Sequence, residues 1–133
     1  MNGRCLCGRV VYRINGAITG INFCHCRQCR KASGSAFGTS AAVTREDLEI
    51  VRGREHLSRY ESTPGKQRVF CGNCGSPLYS VREGGDTAYV RLGTLDDDPG
   101  RAPDVHIHVA SRAAWYQIHD DLPQLAEEEG LWF

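Results

Sequence analysis

The sequence carries no excess of either charge. Sixteen Lys and Arg residues balance 16 Asp and Glu residues, for a formal net charge of +0. A general electrostatic grip on nucleic acid needs a basic surplus, so nucleic acid is not an expected partner. Long apolar runs are missing too: no stretch approaches the roughly 20 residues that span a bilayer. The amino terminus lacks the charged start and apolar run of a secretion signal, which makes the cytoplasm the expected compartment and excludes a membrane partner. No internal repeat is evident, and helical periodicity is scarce. The cysteine count is seven, an odd number that no all-disulfide framework can absorb.

The 133 residues fit one domain, 1–133, long enough for a modest core, and the 41% apolar content excludes a disordered chain. Glycines and prolines punctuate a series of short strand-like segments. Arg9–Asn15 alternates, with Val10, Tyr12 and Ile14 on one face and Val11 on the other. Ala36–Thr44, Leu48–Arg52, Leu57–Glu61, Gln67–Phe70, Pro77–Arg82, Thr87–Leu92 and Val105–Val109 extend the pattern. Arg27–Ala32 is expected to form one helical turn, and Leu122–Gly130 a short acidic helix or a frayed tail. The class is mainly β.

The cysteines fall into three clusters: Cys5 and Cys7; Cys24, Cys26 and Cys29; Cys71 and Cys74. Thiolates one or two residues apart can grip one metal from a single turn, whereas a disulfide needs a particular Cα separation and facing Cβ vectors. The spacing divides them four and three. Cys5-x-Cys7 and Cys71-x-x-Cys74 read as halves of a closed zinc site that staples the N-terminal strand to the strand opening at Pro77. Gly8, Gly72 and Gly75 would let the backbone take positive φ and aim amides at the sulfurs. A disulfide, free thiols or an iron–sulfur cluster are the alternatives, and the inferred reducing compartment favours metal.

Cys24-His25-Cys26-Arg27-Gln28-Cys29 offers three sulfurs within six residues. A fourth position left for water or an incoming ligand marks a catalytic site. Zinc with three thiolates is a weak Lewis acid, better suited to holding a soft sulfur than to activating water. Arg27, Arg30 and Lys31 would keep the thiolates ionised and meet the carboxylates of an anionic thiol. Ser33, Gly34 and Ser35 could offer amides and hydroxyls to the same ligand. The competing reading is a second structural zinc completed by His25 or a remote histidine, although His25, set between two ligands, is expected to point away. His106 and His108 alternate and should share one strand face, most simply as hydrogen-bonded residues. Trp115 and Tyr116 are expected in the core or a pocket wall.

Three ordered motifs then carry a resemblance. Gly3-x-Cys5-x-Cys7-Gly8, Cys24-His25-Cys26-x-x-Cys29-Arg30-Lys31-Ala32-Ser33-Gly34 and Phe70-Cys71-Gly72-x-Cys74-Gly75-Ser76-Pro77 resemble the glutathione-dependent formaldehyde-activating enzyme family. Leu92–Asp97 and His106-Ile107 are similar to that family too. The resemblance runs from about Gly3 to Pro123. It implies a β-tent zinc fold of small antiparallel sheets around a four-cysteine structural zinc. It also implies a carbon–sulfur lyase activity that joins formaldehyde to glutathione as S-hydroxymethylglutathione. By motif, Cys5, Cys7, Cys71 and Cys74 match the structural ligands, and Cys24, Cys26 and Cys29 the catalytic zinc, up to two ions per chain. Glutathione or another small thiol is the expected partner. A non-catalytic zinc-stabilised binding module, or a thiol carrier, stands as the alternative. The family includes a centromere protein V type linked to chromatin and microtubules, but this chain lacks the basic extension that such a use would need.

Overall fold

The computed structural model describes residues 1–128. Ten strands and one short helix follow in order: β1 (Asn2–Arg4), β2 (Val11–Ile14), β3 (Ile18–Cys24), α1 (Arg27–Ser33), β4 (Gly38–Thr44), β5 (Leu48–Arg52), β6 (Leu57–Thr63), β7 (Lys66–Cys71), β8 (Pro77–Arg82), β9 (Thr87–Arg91) and β10 (Val105–Ile107). They form a three-stranded sheet, β1-β2-β5, and a seven-stranded sheet, β10-β3-β4-β9-β8-β7-β6. The mainly β class holds. The ladders are antiparallel except where β10 runs parallel to β3, pairing Ile107 with Cys24.

Alternation places the core between the two sheets. Val10, Tyr12 and Ile14 point inward and are buried, as their spacing requires. They meet Ile18, Ile21, Val43, Val69, Leu78, Val81 and Val90 from the larger sheet. A second apolar cluster, Val105 and Ile107 with Leu125 against it, surrounds Cys24 and Cys29. The larger core thus supports the sheets, and the smaller one seats the triad.

Two segments depart from the sequence expectation. The last strand stops at Ile107, because His108 turns into the left-handed region (φ 56°, ψ 36°). His106 and His108 therefore do not share a strand face: His106 is buried, while His108 is part-exposed at the start of a 3-10 turn. Residues 122–128 form no helix. Their backbone runs beside 106–110 instead, with Leu125 N–H donating to the His106 carbonyl at 2.9 Å and His108 N–H to the Glu127 carbonyl at 3.0 Å. Glu129 and Gly130, the rest of that expected acidic segment, lie outside the described residues.

Candidate metal centres and the cavity beside them

The first cysteine cluster forms where the two sheets meet. Cys5 and Cys7 follow β1, Cys71 ends β7, and Cys74 lies in the turn before β8. Their four sulfurs all lie within 4.8 Å of one another. Cys5 and Cys7 sulfurs are 3.6 Å apart, and Cys7 and Cys71 sulfurs 3.8 Å. Zinc–sulfur bonds of about 2.3 Å give a tetrahedral edge of about 3.8 Å, so the group fits zinc. Val10 N–H donates to the Cys5 sulfur at 3.3 Å. The Ser76 hydroxyl lies 3.3 Å from the Cys74 sulfur and lowers that thiol to about 5, while burial raises Cys71 to about 11.

Glycine serves this knuckle in two ways. Gly8 and Gly75 adopt positive φ, 78° and 80°, as expected. Gly72 does not. A Cβ there would come within 2.5 Å of the Ser58 hydroxyl, so close approach to β6 is what requires glycine.

The second cluster is built by a strand end and a helix start. Cys24 closes β3, Cys26 caps α1, and Cys29 lies one turn in, its N–H donating to the Cys26 sulfur at 3.3 Å. These three sulfurs also lie within 4.8 Å of one another. Among the described residues no histidine or carboxylate joins them at that distance. Thiol hydrogen bonds from Cys24 and Cys26, then the Arg68 charge, hold Cys29 far below the ordinary thiol range. Cys24, bonded to Cys26 and Cys29 and buried, is pushed up in turn.

His25 points away from the sulfurs. Its Nε2 lies 2.8 Å from His106 Nδ1, and His106 Nε2 lies 2.9 Å from an Asp120 oxygen. Burial lowers His25 to about 4, so the ring is neutral. Neither histidine lines the cavities described next.

A cavity of about 270 Å³ opens at Cys29. Ser33, Phe37, Thr39, Arg68, Arg91 and Thr94 are among its walls, and Ser76 brings the four-sulfur knuckle to its rim. A smaller space of about 50 Å³ lies beside Cys24 and Cys29, lined in part by Lys66, Arg82, Arg91 and Glu128. Of the residues proposed from sequence to meet substrate, only Ser33 lines the larger cavity. Arg27, Arg30, Lys31, Gly34 and Ser35 line a different one with Trp115, which is 71% exposed and so belongs to a wall, not the core. Tyr116 packs edge-on against Phe37, ring centres 5.4 Å apart.

Sequence reasoning missed Arg68 and Arg91. They lie 39 and 62 positions beyond Cys29, on β7 and β9, and only strand pairing brings them to it. The signal was faint: each arginine adjoins a core valine, Val69 or Val90, and so lies on the opposite face of its strand.

The model of the glutathione-dependent formaldehyde-activating enzyme family matches residues 1–111. The chain belongs to that family. An uncharacterised lyase of Schizosaccharomyces pombe is 29% identical over 87 residues, 65% of this chain and 61% of that protein. A protein of Penicillium rubens, provisionally named a glutathione-dependent formaldehyde-activating enzyme, is 27% identical over 117 residues. That match takes in 86% of this chain and 55% of the relative, so the chain spans little more than half the length of these curated relatives. A crystal structure of a Rhodobacter sphaeroides protein shares the fold, with a TM-score of 0.64 and 26% identity over 77% of this chain and 98% of that one. Among the described residues no helix is long and apolar enough to cross a membrane.

Proposed function

We propose that this family member is a zinc-dependent carbon–sulfur lyase-type enzyme. Its substrate would be the adduct of an aldehyde with glutathione or another small thiol, such as S-hydroxymethylglutathione. The observation that carries this reading is the second sulfur group: three ligands, no protein fourth among the described residues, and a cavity of about 270 Å³ at Cys29. A zinc ion there would supply affinity for a soft, deprotonated sulfur.

The chain's own residues do the rest. Cys24, Cys26 and Cys29 would hold the metal, and Cys5, Cys7, Cys71 and Cys74 would hold a structural ion at the cavity rim. Arg68 and the hydroxyls of Ser33, Thr39 and Thr94 line the space where the thiol's polar groups lie. In the condensing direction the sulfur bonds to the carbonyl carbon, the carbonyl π bond breaks, and its oxygen takes a proton from solvent at the cavity mouth. The rate gain comes mainly from holding sulfur and aldehyde together.

Two-dimensional exchange NMR on formaldehyde and glutathione, with native protein and Cys26→Ser, tests the proposal. Faster interconversion with the native protein alone is expected. Equal rates for both proteins would sink it, and thiol binding without acceleration would mark a carrier instead.

A further inference from the structure

The sulfur triad is walled by cations that have no acidic partner. Arg91 is half-buried at the end of β9, and its guanidinium donates to the Ser40 hydroxyl, to the Ser80 hydroxyl at 3.2 Å and to the Tyr89 carbonyl at 3.3 Å. All three acceptors are neutral. Arg68 donates to the Ser62 hydroxyl at 3.0 Å, the Gln28 carbonyl at 3.4 Å and the Cys29 sulfur at 3.8 Å. No carboxylate lies within 4.0 Å of either guanidinium among the described residues. Glu128, the acid on the smaller cavity, has its carboxylate 3.8 Å from His108. A charge withdrawn from water without a counter-ion is costly, so the balancing negative charge must come from the sulfurs.

Formal counting then leaves a remainder. Three thiolates around a divalent ion would carry −1, whereas Arg68, Arg91, Lys66 and Arg82 all line the two cavities at the triad. Even with Glu128 counted, positive charge is in surplus until one more negative charge arrives. Arg68 touches Cys29 and faces the larger cavity, the side from which that charge would come.

We propose that Arg91 is the resident counter-ion of the triad, and that Arg68 is a specificity-determining residue reserving the fourth position for an anionic sulfur over a neutral ligand. The inference rests on the zinc and thiol reading above and adds the basis of selection. It acts on the sulfur itself, so a thiol with no carboxylate is selected too. On binding to a loaded site, the S–H bond would break, its proton would pass to buffer, and the sulfur would offer its lone pair as the fourth ligand; nothing is oxidised or reduced.

The test uses the full chain loaded with cobalt, titrated separately with 2-mercaptoethanol and with imidazole while the cobalt absorption bands are followed. The four-sulfur site is saturated by protein and stays silent. Arg68→Gln is expected to weaken 2-mercaptoethanol binding by about tenfold to a hundredfold, the range of hydrogen bonds to charged groups. Imidazole binding should stay within about twofold of native, and Arg68→Lys should recover part of the thiol affinity through its charge. Equal loss for both ligands, or no loss for either, overturns the role of Arg68. Arg91→Gln should surrender one of two cobalt ions to a chelator at a lower concentration than native protein does. Unchanged retention overturns the counter-ion role. Native protein that binds 2-mercaptoethanol without accelerating formaldehyde exchange defeats the enzyme reading alone. Native turnover with unchanged ligand preference in Arg68→Gln defeats charge selection alone.

Discussion

His25 Nε2 lies 2.8 Å from Nδ1 of His106, and both rings are fully buried. Asp120 determines which way the protons point. Its carboxylate can only accept, so His106 carries its proton on Nε2 and donates to it at 2.9 Å. In the neutral pair His106 Nδ1 is then the acceptor, and His25 donates from its own Nε2. That leaves His25 Nδ1 as a buried lone pair with no partner among the described residues. The backbone bracing runs parallel, with His25 N–H donating to the Ile107 carbonyl at 3.0 Å. The segment around Asp120 thus holds the loop that carries Cys24 and Cys26.

The first prediction concerns that relay. In 15N NMR both imidazoles should show a protonated Nε2 and a bare Nδ1. Asp120→Ala should lower the midpoint of urea denaturation, because the buried His106 donor loses its carboxylate partner. An unchanged midpoint would show that the relay contributes nothing to stability.

The two sulfur groups should respond oppositely to loss of a ligand. Cys71 is fully buried in the core between the sheets. Structural zinc contributes about 10–16 kcal/mol in small domains, comparable to a whole domain's stability of about 5–15 kcal/mol. Cys71→Ser is therefore expected to be unfolded. Cys26→Ser should fold and bind one zinc per chain in place of two, measured by metal analysis and circular dichroism.

Alkaline pH should weaken the fold through Tyr12. The Tyr12 hydroxyl is buried and lies 2.7 Å from the Thr94 hydroxyl, and burial raises it to about 12 from the usual 10. The folded state favours the neutral phenol. Its contribution is complete below pH 10 and is lost as pH rises from 10 to 12, a swing of up to about 3 kcal/mol. Tyr12→Phe should flatten that part of the stability curve and remove one late step from the tyrosinate absorbance titration.

Gly72→Ala should destabilise by about 1–3 kcal/mol through overpacking, because the new methyl would lie 2.5 Å from the Ser58 hydroxyl and 3.1 Å from the His56 carbonyl. Adding Ser58→Ala should restore part of the loss. A double variant no more stable than the single one would place the strain elsewhere.

Much of this was legible in the sequence, and the reasons are local. The alternation of Val10, Tyr12 and Ile14 reports their inward face directly. Both sulfur groups follow from cysteine spacing, because their ligands come from tight turns. β3 escaped notice because Gly20 and Asn22 interrupt its apolar run, and because Ile21 and Asn22 are both buried, which erases alternation. β1 is too short to show a period. Arg27, Arg30 and Lys31 are neighbours of the triad in sequence, yet a helix directs only part of its surface at any site. Cys29 faces the cavity at the triad, and those three residues line another. Arg68 and Arg91 reach Cys29 only through strand pairing, which no short motif encodes.

The two sulfur groups also differ in when a chain leaving the ribosome can complete them. The group of three is finished once residue 29 has been made, all its members lying within six positions. The group of four waits for residue 74 and must bring together cysteines 64 positions apart, Cys7 and Cys71. Closing so long a loop costs chain entropy that a six-residue turn avoids. Metal capture should therefore begin at the site proposed for chemistry, with the structural staple closing last.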